Sequence, residues 1–341
     1  MTLQFTTFDV FTSRPFRGNP LAIVEVPTST TSTTTQPSLT QTQKQLIARE
    51  FNLSETVFLH QQTPEDILAR VARIDIFTPL AQIPFAGHPT IGTAAYLLHH
   101  LRLDSARVLR TGAGPVAFRD ADVRADADAF LDRKSSTGSG GNGGSGSGGG
   151  ASLAVAHKLH MHNNPFADTP YAQHPVVSIV NGMTAILARL PDLASLAAQT
   201  QNLVGAENTF AASARLDEGW RSGPVVTYYY VDEGTVAGGA RRLRTRNLGS
   251  REDPATGSSA SALCGFLTLS EEGAEEGEGP TVRRFEVVQG VEMGRRSEIR
   301  VQVALEDDDR TKVKEIRLEG NAVMIMQGRI PIPDVGLGVH S

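Results

Sequence analysis

The chain has 341 residues, room for two ordinary domains or one large one, and 40% of them are apolar, so a substantial core can form. A net charge of −5, with 32 Lys and Arg scattered rather than blocked, excludes the basic face that nucleic-acid binding needs. Cys264 is the single cysteine, which excludes an intrachain disulfide and any cysteine-built zinc site.

In chain order, "LQFTTFDVF" (3–11) predicts the first strand. The leading "MTLQFTTFDVFTSRPF" has neither the basic start nor the apolar run of a signal peptide, and no stretch of about 18 apolar residues is present to span a membrane. The expectation is a cytoplasmic, reducing setting. "LAIVEV" (21–26) predicts a second strand, and the polar "TSTTSTTTQPSLTQTQ" (28–43) a flexible insert. A helix over 42–52 ending near Asn52, strands over 55–60 and 71–78, and a helix over 89–101 follow. The tract 134–152 is almost all Gly and Ser and predicts a disordered linker. Its G-x-G-x-x-G spacing follows no strand and opens no helix, so it is no nucleotide loop.

Beyond the linker, 175–182 predicts a strand, and a helix falls at "MTAILARL" or at "PDLASLAAQ". Strands over 225–232 and 241–248 precede a helix over 258–269. The acidic 271–279 predicts another flexible loop, and strands over 283–290, 297–305 and 313–330 close the chain. The expected division is 1–133, the linker 134–152, and 153–341, with the first strands free to cross between halves.

Laying Arg73–Leu98 over Arg242–Leu267 without a gap, at an offset of 169, superposes strand, Pro/Gly loop and small-residue helix. This favours two similar halves. A helix rich in Ala, Thr, Ser and Gly suits a crowded place such as the inside of a curled sheet. Both helices open on polar and glycine residues, in "PFAGHPTIG" and "EDPATGSSA". A helix start offers free N–H groups and partial positive charge, which bind carboxylates where glycine allows close approach. Gly87, His88, Pro89 and Thr90 would present one such end, and Thr256, Gly257, Ser258 and Ser259 the other. The alternative makes Thr90 and Ser258 ordinary caps and the glycines turns.

Glu55 in "NLSETVFL" stands at a loop-to-strand junction among apolar residues, where a desolvated carboxylate could move protons, or else it is an edge residue facing water. Asp253 either starts a structural turn, orients a histidine or holds a substrate amine. Asn19 in "RGNP" is either a ligand contact or part of a turn. His157, His160 and His162 in "HKLHMH" have no acidic neighbour in the sequence and border the linker, so metal binding is set aside. No nucleophile elbow, Walker loop or zinc-protease motif is present.

Together "DVFTSRPFRGNPLAIV", "NLSETVFL", "IPFAGHPTIGTAAYLL", "REDPATGSSASAL" and "VVQGVEMGRRSEIRV" resemble the PhzF family of phenazine-biosynthesis-like isomerases, in that family's order from Asp9 to about Gly328. The resemblance implies an α+β, diaminopimelate-epimerase-like fold: two similar halves, each a curled, mostly antiparallel sheet around a central helix, with the active site between them. It implies Glu55 as proton shuttle and His88 and Asp253 as further catalytic residues. The implied substrate-binding set is Asn19, Gly87, Pro89, Thr90, Gly257 and Ser258, with no metal and no organic cofactor. The expected activity moves a proton between carbons of a small carboxylate-bearing substrate, and the expected assembly is a homodimer. Related racemases use two cysteines, whereas Cys264 lies within an apolar helix and is read as core. The competing functions are binding of a small molecule or protein without turnover, and a lyase or hydrolase on the same fold.

Overall fold

The computed structural model describes residues 1–27, 39–121, 149–270 and 281–334. Strands β1 (Thr2–Val10) and β2 (Asn19–Val26) are antiparallel. Helix α1 (Gln41–Phe51) returns the chain so that β3 (Glu55–His60) lies parallel to β2, with Leu21 opposite Glu55. A reciprocal box between Thr40 and Gln43 starts α1, and Asn52 ends it in the left-handed conformation at φ 50°. Short helix α2 (Pro64–Leu68) leads to β4 (Val71–Phe77), antiparallel to β3, on which the two-residue β5 (Gln82–Ile83) folds back. Helix α3 (Gly87–Ala95), prolonged by a π turn over Tyr96–His100, crosses to β6 (Val108–Thr111), parallel to β4. Strands β7 (Gly114–Ala121) and β8 (Gly149–Ala154) continue antiparallel.

The second half repeats the plan. Strand β9 (His160–Met161) pairs with β10 (Val176–Val180), which is antiparallel to β11 (Met183–Arg189). Helix α4 (Leu193–Ala197) leads to β12 (Val225–Thr235), parallel to β11, and β13 (Arg241–Leu248) is antiparallel to it. The two-residue β14 (Glu252–Asp253) folds back on β13 before helix α5 (Gly257–Ser270) crosses to β15 (Val282–Gln289), parallel to β13. Antiparallel β16 (Ser297–Leu305) and β17 (Val313–Pro331) follow. Pairing senses and crossovers therefore match half against half: β2–β3 with β11–β12, β4–α3–β6 with β13–α5–β15. The last strand joins the halves. β17 pairs with β16 over its first residues, with β8 in the middle, and with β1 from Ala322 onward.

Helices α3 and α5 lie within one large hydrophobic cluster, which runs through both halves. Every residue of α3 is buried, as is nearly all of α5, including Cys264. Their small side chains answer the crowding. A Cβ on Gly92 would stand 2.4 Å from Leu21 Cδ2, and one on Gly265 would stand 3.0 Å from Leu159 Cδ2. The buried hydroxyls of Thr90, Thr93, Ser261 and Thr268 each donate to a carbonyl one turn back, at 2.7–2.8 Å, so none carries an unmet donor into the core.

One open choice is resolved and two expectations are corrected. "MTAILARL" is strand, β11, and the helix lies in the neighbouring stretch as α4; a short apolar run buried on both faces reads equally as either. The tail of the Thr-rich segment, residues 39–43, forms the cap and first turn of α1, while 28–38 lie outside the described residues. Gly149–Ser152, read as linker, pair with both β7 and β17, because unbranched Gly and Ser still offer full backbone hydrogen bonding between two strand edges. Residues 134–148 and 271–279 lie outside the described residues.

Candidate active site

The two central helices meet at their beginnings. A Cβ on Gly87 would lie 2.8 Å from Gly257 Cα, and one on Gly257 would lie 3.1 Å from Gly87 Cα. Only glycine at both places lets the helix starts come this close. The two residues stand 170 positions apart as the first of α3 and α5. The gapless repeat at 169 puts Thr256 opposite Gly87 instead, one residue out of register. Ala86, before α3, is extended and makes no side-chain cap bond, so the first N–H groups of α3 have no side-chain acceptor from that position. Thr90 is not a cap, because its hydroxyl is donated to Ala86 O.

Around this junction the halves bring separate acidic groups together. Glu55, the first residue of β3, places Oε2 2.9 Å from Nδ1 of His88, the second residue of α3. Their side chains are 14% and 2% exposed, so the pair lies almost wholly out of water. Glu55 Oε2 forms no aligned hydrogen bond despite that distance, and His88 Nε2 is buried without a hydrogen-bond partner. Unpaired buried polar atoms are rare in folded proteins and cluster where a ligand or reaction completes them.

Asp253, from β14 in the other half, is held from both sides. Its Oδ1 accepts from Asn19 Nδ2 at 2.7 Å and from Ser54 Oγ at 3.0 Å, both in the first half. Its Oδ2 accepts from Thr256 Oγ1 at 2.5 Å. Burial and then the charge of nearby Glu55 push the Asp253 carboxyl upward, against the opposing pull of His88 and of the Thr256 and Ser54 hydroxyls. Gln289 in β15 fixes the loop behind, with Nε2 donating to Asp253 O at 2.7 Å and Oε1 accepting from Thr256 N at 3.2 Å. Buried Tyr228 donates to that same Oε1 at 3.0 Å.

Asn19 is fixed as firmly. It donates also to Ala255 O at 3.0 Å and accepts from Ser54 at 3.1 Å. The loop before it is tied across the halves: Arg295 donates to Gly18 O and pairs with Asp9, whose other oxygen accepts from Phe16 N at 2.6 Å.

Glu55, Ser54, Asp253 and Thr256 open on a cavity of about 330 Å³. Thr209, Phe210 and Arg251 also line it. Ser258 borders a narrow adjoining space of about 30 Å³ with Thr256 and Ser259. Of the residues named from sequence, Glu55 and Asp253 line this cavity, each with a partner behind it, His88 beside Glu55 and Asn19 hydrogen-bonded to Asp253. Gly87 and Gly257 make the helix junction. Pro89 and Thr90 are buried in the first turn of α3 and are not among the residues lining the cavity. Sequence reasoning missed Ser54 and Gln289 as site residues, although both lie inside motifs already singled out, and it named Thr256 only as part of a helix start. Thr209 and Phe210 carry no sequence signal at all. A carboxylate beside a buried imidazole, with a second carboxyl drawn toward its neutral form, can take a proton from one atom and return it to another.

The family model described as phenazine biosynthesis-like protein, PhzC-PhzF, matches residues 8–328. An uncharacterized isomerase of Mesorhizobium japonicum is 31% identical, with 96% of this chain and 99% of that protein aligned. The trans-2,3-dihydro-3-hydroxyanthranilate isomerase of Pseudomonas chlororaphis is 29% identical over 96% of this chain and 99% of its own length. A PhzF-family phenazine biosynthesis protein of Bacillus anthracis has the same fold, with a TM-score of 0.66 at 18% identity, covering 97% of this chain and 100% of that one. The α+β, epimerase-like fold expected from the motifs is the fold observed. Among the described residues no helix is long and apolar enough to cross a membrane.

Proposed function

Because this chain belongs to the PhzC-PhzF family and is an isomerase, we propose that it moves a proton between two carbons of a small carboxylate-bearing substrate, with Glu55 as general acid and base. The observation that carries this is the buried Glu55–His88 contact at 2.9 Å, whose imidazole and carboxylate keep unpaired atoms beside the cavity. The substrate carboxylate would sit toward the joined starts of α3 and α5, where the positive ends of both helix dipoles meet. Asn19, Gly87, Gly257 and Ser258 would shape that end, with Pro89 and Thr90 supporting it from within the helix. The Glu55 carboxylate takes a proton from carbon, and its conjugate acid returns a proton to a different carbon. Atoms and charge are conserved over the cycle. His88 would steady the charge on Glu55. Asp253, with its carboxyl drawn toward the neutral form, would donate to or hold an amine, hydroxyl or enolic oxygen of the substrate. The steps use side chains alone and call for neither metal nor organic cofactor.

The relative from Pseudomonas chlororaphis names the first substrate to try, trans-2,3-dihydro-3-hydroxyanthranilate. A panel of small cyclic and amino-substituted carboxylic acids extends the search. Incubation in D2O with NMR detection is expected to show deuterium entering at carbon with product mass otherwise that of the substrate. Glu55→Gln should abolish the exchange. Exchange that persists in Glu55→Gln would remove Glu55 from the role, and a product of different mass would replace isomerisation by lyase or hydrolase chemistry. Binding of a panel member by thermal shift with no exchange would favour a binding protein.

A further inference from the structure

In the second half, two histidines meet an aspartate that the sequence keeps far from them. His160 Nε2 lies 2.8 Å from Asp217 Oδ2, and His162 Nδ1 lies 3.5 Å from the same oxygen. The three donor atoms lie within 4.8 Å of one another. His160 and His162 are two apart at the start of the second half, so strand geometry turns both to one side. Asp217 comes from 57 residues beyond His160, after the 3₁₀ turn Ala211–Arg215. That distance is why the sequence set the histidines aside for want of an acidic partner.

We propose that His160, His162 and Asp217 form a metal site for a borderline divalent cation of the zinc, cobalt or nickel class. Two imidazole nitrogens and one carboxylate oxygen are the donors such ions prefer, and bonds of about 2.0–2.1 Å set donors a little over 3 Å apart around the ion. The two separations to Asp217 Oδ2, 2.8 and 3.5 Å, bracket that spacing. The outer contacts of His162 also fit. Its Nε2 lies 2.8 Å from Ser178 Oγ, which in turn lies 2.6 Å from Thr184 Oγ1, and Asp217 N points at His162 Nδ1 from 3.3 Å. The second contact makes Nδ1 the acceptor, so the proton sits on Nε2 and is donated to Ser178. The nitrogen facing Asp217 thus carries a lone pair, oriented by a hydrogen bond from the ring's other side as metal-binding histidines commonly are. An ion would replace the long amide contact. His160 and Asp217 are about one-third exposed, at 32% and 31%, which leaves an open side for entry and for water as a further ligand.

The site would tie β9 to the segment running from Ala211 to Pro224. Thr209, Phe210 and Pro224, at the ends of that segment, line the cavity described above. The role is therefore structural and distinct from proton transfer, and its test does not depend on isomerase turnover.

The chain carries its own probe. Trp220 is the single tryptophan, and its ring stacks on His160 with centroids 4.5 Å apart. Tag-free full-length protein, stripped with a chelator, would be titrated with Co²⁺ while Trp220 emission and the visible cobalt absorption are followed. Saturation of both signals at one equivalent with micromolar or tighter affinity is expected, with a rise in melting temperature. His160→Gln and Asp217→Asn should each weaken binding at least about tenfold, and His174→Gln, outside the cluster, should leave it unchanged. Circular dichroism checks folding, and if Asp217→Asn is unfolded, His160→Gln, at a partly exposed position, decides alone. Absence of saturable quenching up to millimolar cobalt, or binding indifferent to His160→Gln, would overturn the proposal.

Discussion

The two halves share one backbone plan and differ in what they place at the start of the central helix. At the start of α3 stand His88 and, from β3, Glu55, in close contact and with unpaired buried atoms. At the start of α5 stand Ser258 and, from β14, Asp253, whose oxygens are all engaged by Asn19, Ser54 and Thr256. The first half presents polar atoms left unpaired; the second presents a braced carboxyl. A duplicated scaffold gives near two-fold geometry at the helix junction, and separate sequences then give its two sides different chemistry.

The largest effect that sharpens this contrast is loss of the reactive side. Glu55→Gln keeps shape and removes the proton acceptor, so turnover should fall by about 10²–10⁴-fold, the usual worth of a positioned general base. Asp253→Asn should cost less, since the amide can still occupy the same hydrogen-bonded seat. Steady-state rates on one verified substrate decide the order. If Asp253→Asn proves the more damaging, the chemical division between the halves is drawn the wrong way round.

Next comes the junction. In Gly87→Ala the new methyl meets backbone, Gly257 Cα at 2.8 Å, as well as Leu318 Cδ2 at 2.9 Å. In Gly257→Ala the nearest atom is the movable Leu318 Cδ2 at 2.7 Å, and Gly87 Cα is 3.1 Å away. Overpacking of this kind costs about 1–3 kcal/mol, and Gly87→Ala should lie at the upper end with Gly257→Ala below it. Urea denaturation of the two variants measures the order directly. Equal costs would mean that the helix starts part easily and that the close approach is not required by the core.

Much of this plan was legible because it rests on local chemistry. The small residues of α3 and α5 announce crowded helices, and Gly87 and Gly257 announce close approach. Glu55, His88 and Asp253 stand in motifs dense enough to mark a site. Contacts between distant segments were not legible. That Ser54 hydrogen-bonds Asp253, or that Asp217 joins His160, depends on loops whose course no periodicity encodes. The register of the repeat was one residue out, because strand and helix patterns tolerate a shift that only the Gly87–Gly257 contact fixes. Strand β11 was ambiguous for the related reason that burial on both faces erases the alternation that distinguishes strand from helix.

The smaller effects appear with pH, where two carboxylates of the first and second halves should pull in opposite directions. Asp75 in β4 loses hydration on burial, but hydrogen bonds from His60, at 2.8 Å, and from Lys44, with their charges, outweigh that and hold it at about 2. A carboxyl lowered by folding contributes stability above its unfolded pKa and loses it as pH falls through the folded value. On the order of 2 kcal/mol should therefore disappear between about pH 4 and pH 2, and Lys44→Met should remove much of it in advance. Asp253 has the reverse sign. Burial and Glu55 raise its carboxyl on folding, so its contribution is complete below the ordinary carboxylate range and is lost as pH rises toward neutrality. Asp253→Asn should flatten that fall while leaving the acid limb set by Asp75 in place. Denaturation midpoints taken across both windows separate the two, and an unchanged slope in Asp253→Asn would show that the braced carboxyl folds in its charged form.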